Sequence, residues 1–290
     1  MAKVTMLGTG MMGSGMAEAM LRRGEAVTVW NRTIEKARPL EKLGARVVAD
    51  PKEAVTGADR VHIMLGDDST VDEALRKIAG GVSKSAYVID HTTVTPKGTI
   101  ARYAWCDANA IQFVHAPVFM SPLGCREANA GVMIVSGPES RFRAVEAELK
   151  QMTGDLWYVG ERVDKAACLK LFGNMELFFI TAGLAEVYAL AKAVDIPAAE
   201  AHELFSHFNV AMGLKLRGAN MAKGDFTSSF DLKMARKDLR LMLETAQTGG
   251  ADLSILPAIG KLMDTFIERG EGAKDVGIIG SDAIKQTTAV

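Results

Sequence analysis

The chain has 290 residues, 48% hydrophobic and 24% charged, a balance that suits two globular domains better than one small core. Its 34 Lys and Arg nearly cancel 35 Asp and Glu, so no basic excess exists to neutralise a phosphate backbone, and nucleic acid is not an expected partner. The three cysteines, Cys106, Cys125 and Cys168, are odd in number and widely spaced, which is neither a disulfide framework nor a metal-ligand set.

In chain order, the first apolar run (residues 3–7) leads straight into glycines rather than to a cleavage site, so a cytoplasmic protein without a targeting segment is the expectation. Short β-branched runs follow at 26–30, 46–48, 61–65, 87–90, 113–116, 132–136 and 156–159. Helical periodicity fills the gaps at 12–23, 35–43 and 71–78. Strands alternating with helices predict right-handed crossovers and a largely parallel sheet covered on both faces.

After about residue 162 the strand signal stops. Residues 163–194 contain no proline and predict one long helix; Pro197 suits the first turn of the next. Leu232, Ala235, Leu239, Met242 and Ala246 form a helical stripe ended by Gly249 and Gly250, and Ile259, Leu262, Met263 and Phe266 form another stopped by Gly270. The expected fold is α/β: an N-terminal Rossmann domain over 1–162, then an all-helical domain over 163–290 that begins with the long interdomain helix. The uncharged run 177–185 is far shorter than the roughly 20 residues of a membrane span, so no membrane partner is expected.

Gly8, Gly10 and Gly13 fit G-x-G-x-x-G between a predicted strand and a predicted helix, the context in which that pattern has physical meaning. Gly8 permits the tight turn, Gly10 lets backbone approach a pyrophosphate, and Gly13 lets the helix pack close to the strand. The helix start adds N–H groups and a positive dipole. Where an NAD enzyme carries an acidic residue for the ribose 2′-hydroxyl, this chain has Asn31, Arg32 and Thr33, with Lys36 a turn further. Arg32 suits a 2′-phosphate through charge-assisted hydrogen bonds, with Asn31 and Thr33 as neutral donors, so NADP(H) is the expected cofactor.

The segments MLGTGMMGSGMAEAML, VWNRT and those below keep the order of four motifs and resemble the β-hydroxyacid dehydrogenases over essentially the whole chain. The VWNRT segment is most similar to the NADPH-using glyoxylate/succinic semialdehyde reductase branch. The resemblance implies that Met11, Met12, Met64 and Leu65 flank the cofactor and that Lys170, in Lys170-Leu171-Phe172-Gly173-Asn174, is the catalytic proton donor. Asn174 lies four residues on, on the same helical face, and would hold substrate or orient Lys170. Apolar neighbours Leu169, Leu171, Phe172 and Met175 should lower the lysine pKa by desolvation.

By the same resemblance Thr93 lies near nicotinamide and substrate, Lys237 contacts cofactor or substrate, and Phe230 and Asp238 help form the substrate wall. The substrate loop departs from the family's small-residue pattern. Either Phe119 and Met120 replace the family's serine and glycine, or Ser121 is that serine displaced by an insertion; all three are candidate substrate contacts. His115 stands where the family is acidic and reads as structural, and His62, His91 and His115 lack paired metal-ligand spacing, so no metal is expected.

The function implied is NADPH-dependent interconversion of a short carboxylated aldehyde or ketone with its hydroxy acid, in a homodimer or homotetramer, the substrate lying in a cleft between domains. An imine reductase of the same fold and a non-catalytic NADP-binding module are the rival readings; the lysine at 170 and its retention beside Asn174 and Lys237 favour the dehydrogenase.

Overall fold

A computed structural model describes residues 1–285. It divides into two compact units, Met1–Met175 and a second from Glu176 onward.

The first unit begins β1 (Lys3–Leu7), α1 (Met11–Arg22), β2 (Ala26–Trp30), β3 (Arg46–Val47), α2 (Pro51–Val55), β4 (Arg60–Ile63), α3 (Asp68–Ile78) and β5 (Tyr87–Asp90). It continues α4 (Pro96–Ala108), β6 (Gln112–His115), β7 (Val118–Phe119), α5 (Pro122–Glu127), β8 (Val132–Val135), α6 (Glu139–Lys150) and β9 (Asp155–Tyr158). Six strands form one parallel sheet in the order β3-β2-β1-β4-β5-β6. The chain leaves β1 to one side and returns to β4 on the other, so the crevice for a ligand opens above β1 and β4.

Alternating side chains feed two cores, as a sheet covered on both faces requires. Val4, Met6, Val27, Val29, Ile89 and Val114 share one core with Met16, Ala17 and Met20 of α1 and Phe142, Val145 and Leu149 of α6. Leu7, Val61, Ile63, Val88 and Phe113 face the other way, onto Val71, Leu75 and Ile78 of α3.

Two expectations are revised. The periodic stretch 35–43 is not a helix but two short 3-10 turns, Ile34–Lys36 and Arg38–Leu43. Pro39 lies at the start of the second turn, lacking the N–H a continuous helix needs. The last three strands leave the parallel sheet and form their own, in the order β7-β8-β9, with β7 antiparallel to β8. The two-residue strand β7 was not legible as a strand.

Helix α7 (Lys165–Ala193) runs through the unit boundary. Ser136 fixes its start: the hydroxyl accepts from Ala166 N–H at 3.0 Å and donates to Val163 O at 2.9 Å. By length and composition α7 is apolar enough to cross a membrane, a longer stretch than the run 177–185 suggests, because Leu169, Leu171 and Phe172 precede that run and Val187, Ala189 and Leu190 follow it. In the second unit α8 (Ala198–His207), α9 (Ala211–Ala222), α10 (Leu232–Thr248), α11 (Leu256–Glu268) and the short α12 (Ser281–Ile284) follow. Leu232, Ala235 and Leu239 of α10 pack on Met263 and Phe266 of α11. Asp275 staples the start of α10 to the following loop, accepting from Ser229 N–H, Phe230 N–H and Gly277 N–H, with Arg217 paired to it at 2.9 Å. These contacts hold its carboxyl far below the usual range although burial opposes ionisation.

Candidate active site

Above the carboxyl ends of β1, β2 and β4 lies a cavity of about 380 Å³. Its walls bring together Gly8, Gly10, Met11, Met12, Asn31, Arg32, Thr33, Lys36, Met64 and Leu65, predicted from three separate stretches of sequence. A side chain at Gly8 is barred twice: φ is +99°, and a Cβ would lie 2.1 Å from Met64 O. Gly13 lies beneath, where a Cβ would meet Gly8 O at 2.0 Å, so α1 rests directly on the turn. Gly10 is different. A Cβ there would meet nothing within 4 Å; the missing side chain leaves the cavity open.

This cradle fits a dinucleotide. Gly10 caps α1 with no side-chain hydrogen bond, so the first N–H groups of the helix are left for an anion. The neighbouring Thr9 hydroxyl is buried and has no partner among the described residues. Arg32 and Lys36 supply the cationic end of the cavity.

Asn31, which lines the cavity as expected, also has a structural part. Its Oδ1 accepts from Thr9 N–H at 3.1 Å and its amide donates to Thr33 O at 2.8 Å, so it braces the glycine loop against the end of β2. Trp30, Gly66, Thr70, Glu73, Ala74 and Lys77 also line the cavity and were not anticipated. The signal existed: Thr70, Glu73, Ala74 and Lys77 share one face of α3, which a capping box at Asp67 starts immediately after β4. Lys77 bonds Glu73 at 2.6 Å and holds that carboxyl below its ordinary value, with Arg32 contributing less.

Lys170 lies on the first part of α7, only 8% exposed. Its ammonium sits over the Phe119 ring, 4.0 Å from the centroid. Burial alone lowers its pKa, with no charged partner among the described residues contributing. Asn174, half-buried, lies one turn further along. Met120 is half-buried, its sulfur 3.8 Å from Cys125 Sγ. Ser121 is exposed, and its hydroxyl accepts from Gly124 N–H at 3.0 Å as the cap of α5. Thr93 is exposed on the loop after β5 and does not line the cavity; its buried neighbour Thr92 does the positioning there.

Phe230, Lys237 and Asp238 belong to the second unit. Phe230 is partly exposed before α10, and Lys237 pairs with Asp238 at 2.8 Å on the surface of that helix.

The three histidines that are remote in sequence converge, because β4, β5 and β6 are neighbours in register. His62 Nδ1 is 2.9 Å from His91 Nε2, and His91 Nδ1 is 2.7 Å from Ala116 O. The carbonyl only accepts, so His91 carries its proton on Nδ1 and accepts from His62 on Nε2. His115 is fully buried, its Nδ1 3.6 Å from Asp90 Oδ2. Among the described residues no group of His, Cys, Asp and Glu is arranged to hold a metal ion.

A six-stranded parallel sheet with a side-chain-free helix start at its switch point, facing an arginine at the next strand end, defines a dinucleotide-binding protein. Comparison with known proteins narrows the class. The family model described as the NAD binding domain of 6-phosphogluconate dehydrogenase matches residues 3–160, and that of NADP-dependent 3-hydroxyisobutyrate dehydrogenase matches 165–280. The chain belongs to the β-hydroxyacid dehydrogenase family, and it is an oxidoreductase with NADP(H) as cofactor. It is 30% identical over 278 residues to glyoxylate/succinic semialdehyde reductase 2 of Arabidopsis thaliana, covering 94% of this chain and 77% of that protein. An imine reductase from Myxococcus stipitatus has the same fold at TM-score 0.89 and 22% identity, over 96% of this chain and 98% of that one. A reductive aminase from Aspergillus terreus superposes at TM-score 0.86 with 23% identity, over 96% and 98% of the two chains.

Proposed function

We propose that the protein is an NADPH-dependent reductase that interconverts a short carboxylated aldehyde or ketone with its hydroxy acid, using Lys170 as proton donor and acceptor. The observation that carries this reading is the buried Lys170 ammonium, with no charged partner among the described residues, in the unit that holds the dinucleotide cavity. When bound, the cofactor supplies a hydride to the carbonyl carbon. The carbonyl oxygen then gains negative charge, and an ammonium within hydrogen-bond reach stabilises it and delivers the proton from Nζ. In oxidation the neutral amine takes that proton back. Desolvation brings the lysine pKa nearer to the working pH, which favours both directions.

Asn174 orients Lys170 or the substrate from the next turn of α7. Thr93, Phe230, Lys237 and Asp238 are retained as proposed contacts of cofactor or substrate. The Arabidopsis relative, which its name describes as a reductase of glyoxylate and succinic semialdehyde, supports the substrate class.

We also propose that a second copy of the chain covers the apolar helices. Leu177, Phe178, Phe179 and Ile180 of α7 are at least half exposed, and α8 and α9 bury none of their residues within one chain. Monomers rarely leave so much apolar surface open, and a homodimer or homotetramer removes it from water.

A second reading has one observation in its favour: the apolar Phe119 and Met120, whether they replace the family's small residues or precede a displaced Ser121, put bulk in the substrate loop, which would suit the neutral substrate of an imine reductase. The deciding experiment follows NADPH oxidation with glyoxylate, succinic semialdehyde, tartronate semialdehyde and cyclic imines. Turnover of one or more carboxylated aldehydes supports the first reading; turnover of cyclic imines alone replaces it.

A further inference from the structure

Phe119 ends β7, and its ring meets two residues of α7 one turn apart. Over its face is the Lys170 ammonium, 4.0 Å from the ring centroid. Its outer edge abuts Gly173, where a Cβ would come within 2.3 Å of Phe119 Cζ and 2.7 Å of Cε1. The glycine is not required by its own backbone, which is helical with nothing left-handed about it. It is required by the ring.

We infer that Phe119 is a positioning residue for Lys170, its ring face holding the ammonium at one place on α7, and that Gly173 is glycine to admit that ring. The inference rests on Lys170 being the proton donor. A lysine has four rotatable bonds, and no carboxylate among the described residues acts on this one to fix its end. The ring supplies the fixing contact, since an ammonium is attracted to the negative face of an aromatic, more strongly where water is excluded. Gly131 holds the ring's own backbone in register: its φ is +76°, and a Cβ there would meet Phe119 O at 2.3 Å. Proton delivery needs sub-ångström placement of the donor, so a lysine free to swing retains cofactor binding while losing rate.

The test uses full-length protein and the aldehyde that the wild type reduces best. Phe119→Leu keeps the site apolar and removes the ring face; kcat is expected to fall roughly tenfold with KM for NADPH unchanged. Phe119→Tyr restores a ring and is expected to stay within about twofold of wild type. Gly173→Ala displaces the ring and should cost as much as Phe119→Leu, whereas in a Phe119→Ala background it should cost nothing further, because the two share one interaction. Equal kcat for wild type and Phe119→Leu, no rescue by Tyr, or additive losses with Gly173→Ala would overturn the inference.

A readout independent of turnover separates this from the assignment of the proton donor. After reductive 13C-methylation, the N-methyl resonance absent from Lys170→Arg should lie upfield from the ring current and return to the ordinary position in Phe119→Leu. An ordinary position in the wild type rejects the ring contact whatever the enzyme reduces. An upfield resonance in a protein whose Lys170→Met variant is fully active keeps the contact and rejects the lysine as proton donor.

Discussion

The backbone N–H of Leu65 donates to Thr92 Oγ1 at 3.1 Å, and the N–H of Thr92 donates in turn to Asp90 Oδ1 at 2.9 Å. The end of β5 thereby holds the loop after β4, which forms one wall of the dinucleotide cavity. Asp90 is itself fully buried among His115 and Arg102, so the anchor is rigid. Thr92→Val keeps the shape of the side chain and leaves the Leu65 N–H without its acceptor, a loss of about 1–3 kcal/mol where water cannot replace it. The NADPH Kd is expected to rise several-fold in Thr92→Val and to recover in Thr92→Ser, measured by calorimetry. Identical affinities in Val and Ser variants would remove this role.

Arg32 faces the cavity from the end of β2 with no carboxylate at the position where one would bond a ribose hydroxyl. A charge-assisted hydrogen bond to a 2′-phosphate is worth about 1.5–3 kcal/mol. Arg32→Ala should therefore weaken NADPH roughly 10- to 100-fold and NADH only slightly, a difference that fluorescence titration of both cofactors resolves. Equal losses for the two would mean that Arg32 does not read the phosphate.

The paired histidines give the fold an acid-sensitive element. Burial lowers the pKa of His62, and it lowers that of His91 to about 4. A histidine whose folded pKa is depressed takes up its proton more readily when unfolded, so stability is complete above the unfolded value near 6.5 and is lost as the pH falls toward 4. His91 alone accounts for a loss of order 3 kcal/mol across that window. Urea denaturation between pH 7 and pH 4.5 should show a steep fall in midpoint for the wild type and a shallower one for His91→Gln. Parallel slopes in the two proteins would contradict the assignment.

If a second chain covers the apolar face, charge placed there disrupts assembly before it disrupts the fold. Phe178 is 73% exposed in the single chain, so Phe178→Glu disturbs little within it. Light scattering coupled to size exclusion is expected to give a multiple of the 31.1 kDa chain mass for the wild type and a smaller species for the variant. A monomeric wild type would sink the proposal.

What the sequence revealed was local. Strands such as residues 3–7 and 26–30, the glycine turn between strand and helix, and the arginine at 32 each carry their meaning within a few neighbouring residues. What it concealed depends on register or distance. His62 and His91 meet only because β4 and β5 lie side by side, and nothing in their spacing of 29 residues announces it. Phe119 could be noticed as bulk in a loop of small residues, yet its contact with Lys170 and Gly173 exists only once β7 has paired with β8. The stretch 35–43 misled because its apolar period is helical, while Pro39 denies the helix a hydrogen bond. The cavity wall from α3 is one-faced in its spacing, but nothing within the helix itself says that this face meets a ligand.

The most direct measurement compares Lys170→Met with the wild type for NADPH affinity and for single-turnover hydride transfer to the best aldehyde. The variant should bind NADPH within about threefold of wild type and transfer hydride roughly 10²–10⁴ times more slowly, the range that a positioned proton donor supplies. A variant that transfers hydride at the wild-type rate would show that the proton comes from elsewhere.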